Sequence, residues 1–310
     1  MGERSKKLGE YGEDIVASLL TLIGWKSPLP GIDIDCFKPT QHGSAGSLRR
    51  THGIDFLFSC SSPLEDQMLK HILISSKFKA GPYPSNPVAK FKEYFLDLSV
   101  ALECFKRSDI CRKINASYRD VSNQSISGVL FWLSGTDSVD ASLVDKVAAS
   151  RGLDEFGYGT IYVVDNYRAS FLFDSIGYVN GRYGSENVSF LYPPTGKNIA
   201  AVSRMTRGRI LPVEYLNSGM ILFSATQHDQ RYLVICCQDS FDEMGLRRLV
   251  GYSMSVALAY PSKVIIAFPD YDFVRHGEQV GTLKAALNDK DFAQSIEVVS
   301  YLKDFRGIEV

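Results

Sequence analysis

The chain has 310 residues, with 34 lysines and arginines against 35 aspartates and glutamates, and a formal net charge of −1 at pH 7. Its length predicts two domains of ordinary size, and an apolar fraction of 45% supports folded cores. This charge balance excludes the uniformly basic surface of a protein that coats nucleic acid, so any such contact must come from local patches. No apolar run approaches the roughly 20 residues that span a bilayer, so we expect a cytoplasmic protein with no membrane partner.

The first predicted element is a helix from Lys6 to Gly24, where apolar residues recur at the spacing of a buried helical stripe. At about 100° per residue, Glu13 falls at the edge of this stripe. Its carboxylate can therefore lean over the sheet that the helix covers. The residues of the stripe are Ile15, Val16, Leu19, Leu20 and Ile23.

Three strands are predicted next, from Ile32 to Phe37, from His52 to Phe58 and from His71 to Lys79. A glycine- and serine-rich, locally basic loop precedes the second strand. In the third strand, alternation predicts that the even-numbered residues form the buried face. Ser75 and Lys77 would then share the opposite face.

The polar residues of these elements suggest a metal-dependent nuclease. Asp55 opens the second strand and supplies a hard oxygen ligand, and Glu13 adds a helix carboxylate above it. Lys77 ends the third strand and can orient water or offset the charge that builds on a phosphodiester. We therefore predict that these residues bind Mg²⁺ or Mn²⁺ and hydrolyse a phosphodiester.

Other residues are alternative candidates for this site. Asp33 and Asp35 follow the same Gly-Ile pattern as Asp55 and are rival ligands. His52 lies close to Asp55 in sequence and can assist proton transfer near neutral pH, but a lone histidine in a loop more often faces solvent.

The six cysteines form no CxxC pair and have no histidine at zinc-binding spacing. We therefore predict that they are reduced and that none is a structural metal ligand. They are Cys36, Cys60, Cys104, Cys111, Cys236 and Cys237.

The rest of the chain predicts a second domain. We expect a first domain over residues 1–165, an irregular connecting segment over residues 166–211 and a C-terminal α/β domain over residues 212–310 that is regulatory or binds a partner. The C-terminal domain repeats the order hairpin, helix, strand, helix, strand of the first. The shared order has two explanations. One is an internal duplication, and the other is the alternation of helices and strands that is usual in α/β proteins. In a duplicate, a residue near Ile221 would replace Asp55 and Gln238 would replace Lys77, which leaves no metal site.

Several basic residues are candidates for binding a nucleic-acid backbone. The basic residues of the connecting segment follow several tyrosines. This combination suits binding along a nucleic-acid backbone, but it is also typical of a solvent-exposed connection between domains. The candidates are Arg49, Arg50, Lys79, Arg204, Arg207 and Arg209.

The motifs GEYGEDIV, GIDFLF and the strand end Ser-Ser-Lys resemble those of the PD-(D/E)xK, or restriction-endonuclease-like, superfamily over about Leu8 to Lys106. The resemblance implies a mixed sheet flanked by helices, cleavage of DNA or RNA, and a catalytic set. A serine stands at the third-motif acid of that family, and serine is a poor Mg²⁺ ligand. The metal ligands would then be Asp55, Glu13 and the carbonyl of Ser76. The catalytic set would be Glu13, Asp55, Ser75 and Lys77.

The same segment is similar to nucleases of bacterial anti-phage systems, and the layout is similar to one component of a two-gene defence system of the GAPS type. This similarity implies a second protein subunit encoded by a neighbouring gene. The alternative is a non-catalytic nuclease-fold subunit that binds nucleic acid or scaffolds a defence complex, in which Ser75 marks a decayed site.

Overall fold

The protein forms two mixed β-sheets flanked by helices, in a computed structural model that describes residues 2–43, 47–139, 142–153, 158–199, 204–257 and 263–302. The chain divides into two compact units, Met1–Ser170 and Phe171–Val310. None of the described helices combines the length and the apolarity that a membrane span requires. The α/β class predicted from the sequence is confirmed.

The first unit contains a five-stranded sheet. Its elements are α1 (Gly2–Leu22), β1 (Leu29–Asp35), α2 (Pro39–His42), β2 (Thr51–Ser61), β3 (Met68–Lys79), α3 (Val88–Phe105), α4 (Asp109–Ser117), β4 (Asn123–Ser134), α5 (Val144–Val147) and β5 (Ile161–Val164). The strands lie in sequence order, with antiparallel pairing from β1 to β3 and parallel pairing from β3 to β5.

Strand β3 is buried on both faces, which differs from the prediction that only its even-numbered face is buried. Leu73 belongs to the core cluster that includes α3. On the other face, the ring of Phe78 lies edge-on to that of Tyr11 in α1, with 5.3 Å between the ring centroids. Ser75 is consequently only 7% exposed. A strand with a parallel neighbour is usually covered on both faces, and sequence alternation alone does not show this.

The second unit contains a six-stranded sheet in the order β7, β6, β8, β9, β10, β11. Its first element is α6 (Asn166–Tyr183), whose first turn belongs to the first unit. The others are β6 (Val188–Leu191), β7 (Arg207–Gly208), β8 (Met220–Gln227), β9 (Gln230–Cys237), α7 (Glu243–Ala257), β10 (Lys263–Phe268), α8 (Phe273–Ala286), α9 (Lys290–Ser295) and β11 (Ile296–Ser300).

The prediction of an irregular segment over residues 166–211 is wrong, because this region includes α6 and β6. In α6 the buried positions include Leu172, Ser175, Ile176 and Val179, which repeat the spacing of the buried stripe in α1. Ser175 breaks the apolar pattern, although its hydroxyl is satisfied by donating to the carbonyl of Phe171 at 2.6 Å. The helical spacing of apolar residues was therefore present in the sequence, but the polar and aromatic residues between them made the segment look irregular.

Strand order supports the duplication. Strands β6, β8, β9, β10 and β11 follow one another in the second sheet with two antiparallel and then two parallel pairings, as β1 to β5 do in the first. A helix precedes each set of strands, and another connects the third strand to the fourth. This is the order expected of two copies of one domain.

The faces of the strands bear on the predicted counterparts of the metal site. Leu73 of β3 belongs to the core cluster that includes α3, and Leu233, Ile235 and Cys237 of β9 belong to the cluster that includes α7.

Lys77 is on the same face of β3 as Leu73, because side chains alternate along a strand. In a duplicate its counterpart is therefore on the face of β9 that carries Cys237, and Gln238, one residue further on, is on the opposite face. Leu222, next to Ile221, is on the face of β8 that belongs to the same cluster. Leu222 and Cys237 are buried in the core and offer no hard ligand.

Gly12 is required where α1 crosses β3. A Cβ atom at this position would lie 2.3 Å from the Cβ of Phe78, whereas one at Gly9 would meet nothing within 4 Å. We expect Gly12→Ala to destabilise the first unit by about 1–3 kcal/mol through overpacking. Gly9→Ala should instead stabilise it by up to about 1 kcal/mol through helix propensity.

Denaturant unfolding followed by tryptophan fluorescence measures both changes, because Trp25 and Trp132 both lie in the first unit. Equal effects of the two substitutions would contradict the close approach of helix and strand.

Candidate active site

Asp55 is joined directly to the end of β3. Its Oδ2 accepts a hydrogen bond of 2.6 Å from the backbone N–H of Ser76. The β2–β3 pairing ends at Phe56 and Ile74, so Asp55 lies one residue beyond the last paired position. The half-buried carboxylate is therefore held next to the residue that precedes Lys77.

Lys77 is half-buried, and its ammonium lies 5.6 Å from the centroid of the Tyr94 ring in α3. The ammonium of Lys90 lies 4.9 Å from the same centroid. The face of an aromatic ring attracts a cation at this range. Tyr94 thus restrains the amine of Lys77 without neutralising its charge.

Glu13 is on the exposed side of α1, yet its carboxyl group interacts electrostatically with Asp55 and with Lys77. Partial burial raises the pKa of its carboxyl, and the negative charge of Asp55 raises it further, followed by those of Glu10 and Asp14. The positive charge of Lys77 acts in the opposite direction. The fold therefore brings Glu13, Asp55 and Lys77 within electrostatic reach of one another.

These groups fit a hard divalent cation. Oδ2 of Asp55 accepts a hydrogen bond from a backbone N–H, which orients the carboxylate. Oδ1 of Asp55 and the carboxylate of Glu13 provide the anionic oxygens that such a cation prefers. The pKa of Glu13 is raised partly by repulsion from Asp55, and a cation between the two carboxylates would relieve that repulsion.

Ser75 lies on β3 next to this site, but its side chain is nearly inaccessible. A hydroxyl there adds no negative charge. The site consequently has two carboxylates, and its charge is smaller than that of a site with three.

The rival candidates are not brought into this group. Asp33 and Asp35 are exposed on β1, which β2 separates from β3. His52 lies in β2 rather than in a loop, and it is 0% exposed rather than solvent-facing. Burial lowers its pKa to about 4, and the positive charges of Arg49 and His42 lower it as well. The ring is therefore neutral at neutral pH, which removes the expected role in proton transfer.

The predicted nucleic-acid-binding residues differ in their surroundings. Arg49 forms an ion pair of 2.6 Å with Asp97 in α3. Arg209 is exposed but donates hydrogen bonds to two backbone carbonyls, those of residues 185 and 186, so its guanidinium supports the local fold of the second unit. Arg204 is half-buried. The remaining members of the set are exposed, and they are Arg50, Lys79 and Arg207.

No histidine lies at zinc-binding spacing from a cysteine in the sequence, but histidines lie beside two cysteines in three dimensions. All six cysteines are free thiols, as expected. However, Cys36 and Cys104 lie with His42 and His52 in one cluster whose ligand atoms are all within 4.8 Å of one another. The four residues come from separate segments, so their spacing in the sequence gave no signal.

The sequence profile described as "GAPS4 protein PD-(D/E)XK nuclease domain" matches residues 1–168. The matched region ends close to the boundary of the first unit at Ser170. A comparison with curated proteins finds no significant match.

The raised pKa of Glu13 predicts how the metal-free protein responds to pH. The folded state holds this proton more tightly than the unfolded state, so the free energy of unfolding falls as pH rises from the usual value of 4.5 through the raised one. We expect Glu13→Gln to raise the melting temperature of metal-free protein above this window and to have little effect below it.

Addition of Mg²⁺ at neutral pH should raise the melting temperature of the wild type but not that of Glu13→Gln. Glu10→Gln is the control, because Glu10 is exposed on the same helix and pairs with Lys6 at 3.8 Å. An equal Mg²⁺ response in all three proteins would exclude Glu13 as a ligand.

Proposed function

The chain belongs to the family of GAPS4 protein PD-(D/E)XK nuclease domains, and on this premise we propose that it is a Mg²⁺-dependent endonuclease that hydrolyses DNA in anti-phage defence. We propose further that it acts with a second protein subunit. The convergence of Glu13, Asp55 and Lys77 at the end of β3 carries this proposal.

Each of these residues has a distinct task in phosphodiester hydrolysis. Asp55, oriented by the Ser76 N–H, and Glu13 would hold the cation. Mg²⁺ bound there would supply Lewis-acid polarisation of the scissile phosphate. The ammonium of Lys77 offsets the negative charge that develops on the phosphate and can orient the attacking water. The Tyr94 ring restrains that ammonium at the edge of the site.

Ser75 sets the expected strength of metal binding. Hard divalent cations owe much of their affinity to the negative charge of their ligands. With two carboxylates, the free protein should bind Mg²⁺ weakly. A phosphate of the substrate would add the missing negative charge, so metal and DNA should bind cooperatively.

A specific observation also favours the alternative of a non-catalytic subunit. Ser75, to which we assign the third-motif position, is buried and carries no charge, as a residue of a decayed site would. In that case the first unit would bind nucleic acid or scaffold a complex whose chemistry is performed elsewhere.

Cleavage assays distinguish the two functions. We expect Lys77→Ala and Asp55→Asn each to reduce Mg²⁺-dependent plasmid cleavage by at least about 100-fold, because the first removes the cation beside the reacting phosphate and the second removes a negatively charged metal ligand. The amide side chain introduced by Asp55→Asn keeps an oxygen acceptor for the Ser76 N–H, so both variants should melt within about 2 °C of the wild type.

Lys90→Ala is the matched control, since Lys90 contacts the same tyrosine ring but is paired with Glu93 at 2.7 Å. The assay uses plasmid DNA and single-stranded RNA, with and without the product of the neighbouring gene. Cleavage that persists in both variants, or that the wild type lacks in every combination, would favour the scaffold function.

A substitution at Ser75 tests whether it occupies the third-motif position. Ser75→Asp buries a carboxylate that destabilises the metal-free protein. Mg²⁺ should restore the melting temperature and bind more tightly than in the wild type, as measured by titration calorimetry. Ser127→Asp is the control, because Ser127 is a similarly buried serine on β4 that pairs with Ile72 and lies outside the candidate site. If both variants respond equally to Mg²⁺, Ser75 does not face the metal.

A further inference from the structure

Four residues from separate segments of the first unit form a largely buried cluster of two thiols and two imidazoles. Cys36 follows β1, His42 ends α2, His52 lies near the start of β2, and Cys104 lies near the end of α3. Their potential ligand atoms all lie within 4.8 Å of one another. We call these residues the Cys/His cluster.

Two of the six ligand-to-ligand distances within the Cys/His cluster, those from His42 to the two sulfurs, each match an edge of a coordination tetrahedron. Nδ1 of His42 lies 3.4 Å from Sγ of Cys36 and 3.5 Å from Sγ of Cys104. Zinc bonds of about 2.3 Å to sulfur and about 2.05 Å to nitrogen, at tetrahedral angles, place the two ligand atoms about 3.6 Å apart. A cation at the centre would therefore need little movement of these side chains.

The surroundings of His42 are those of a metal-binding histidine. Its Nδ1 faces the two sulfurs, and its Nε2 is 2.9 Å from Oε2 of Glu103. The other carboxylate oxygen of Glu103 accepts a hydrogen bond from the ammonium of Lys38. A carboxylate on the far nitrogen fixes the orientation and tautomer of the ring and makes the near nitrogen a better ligand.

His52 provides a second, independent observation. Its side chain is 0% exposed, and neither ring nitrogen has a hydrogen-bond partner among the described residues. Buried polar groups are nearly always paired. His71 shows the usual solution: it is also 0% exposed, and its two ring nitrogens lie 2.9 Å from Ser59 Oγ and 2.8 Å from Asn115 Oδ1. His52 lacks such partners and lies against the sulfurs and His42.

We propose that Cys36, His42, His52 and Cys104 bind one Zn²⁺ ion in a tetrahedral structural site. Two sulfurs and two imidazoles favour zinc over the hard cations that suit Asp55 and Glu13. Four protein ligands leave no open position for substrate, so the ion stabilises the fold and does not take part in the reaction. The ion links β1, α2 and β2 to α3. The proposal of this site does not depend on the proposed nuclease activity.

Metal analysis of the full-length protein tests this proposal. Protein purified without chelator should contain one zinc ion per chain, as measured by inductively coupled plasma mass spectrometry. X-ray absorption spectroscopy should show two sulfur and two nitrogen ligands around that zinc. Cys104→Ser and His52→Gln should lower the zinc content several-fold and lower the melting temperature.

Two matched variants serve as controls. Cys111 is a buried free thiol outside the cluster, and His71 is a buried histidine with satisfied nitrogens. Cys111→Ser and His71→Gln should retain zinc, as should Asp55→Asn, which affects only the proposed Mg²⁺ site.

A measurement on the wild type avoids variants that fail to fold. Cobalt exchanged into the reduced protein should give the strong visible absorption of tetrahedral Co²⁺ and a near-ultraviolet sulfur-to-metal band. The proposal is overturned if the purified protein is free of zinc and takes up neither zinc nor cobalt, or if Cys36 and Cys104 form a disulfide. Zinc retained at full content in both cluster variants would also overturn it.

Discussion

The close contact between Gly12 of α1 and Phe78 of β3 positions the groups of the candidate active site. No Cβ atom fits between the helix and the strand at this point. The next residue along the helix is Glu13, and the residue before Phe78 on the strand is Lys77. Each partner in the contact is therefore adjacent in sequence to a candidate site residue. How closely the helix packs on the strand consequently sets the distance between the carboxylate of Glu13 and the amine of Lys77. Packing and chemistry are fixed by the same contact.

The second unit has the same strand order with apolar residues where the first has polar ones. Leu222 and Cys237 are on the faces of β8 and β9 that join the apolar core with α7. Burying apolar side chains stabilises a fold, whereas a half-buried carboxylate raises its energy unless it is paired. The same strand order thus accompanies a more apolar core in the second unit and a group of polar residues in the first.

The sequence predicted those parts of the structure that depend on local periodicity. The α1 stripe and the β2–β3 pair of strands were found because their apolar residues recur at regular intervals. Asp55 was expected to open its strand and Lys77 to end the next, but Asp55 lies within β2 and β3 continues for two residues beyond Lys77. The burial of Ser75 was not predictable, since it depends on α3 covering a face that looked polar. Helix α6 was missed because its stripe includes Ser175. The Cys/His cluster was missed because its members meet only in the folded chain.

The two aspartates that proved to lie outside the candidate active site have a different effect on β1. This strand is at one edge of the first sheet, and Asp33 and Asp35 are exposed on either side of buried Ile34. An edge strand exposes unpaired peptide groups that can bind a strand from another molecule. Closely spaced like charges repel a second copy of this edge, and Pro30 removes one donor from it. The two aspartates that resembled a ligand pair therefore disfavour edge-to-edge pairing of β1 with a second copy of the strand.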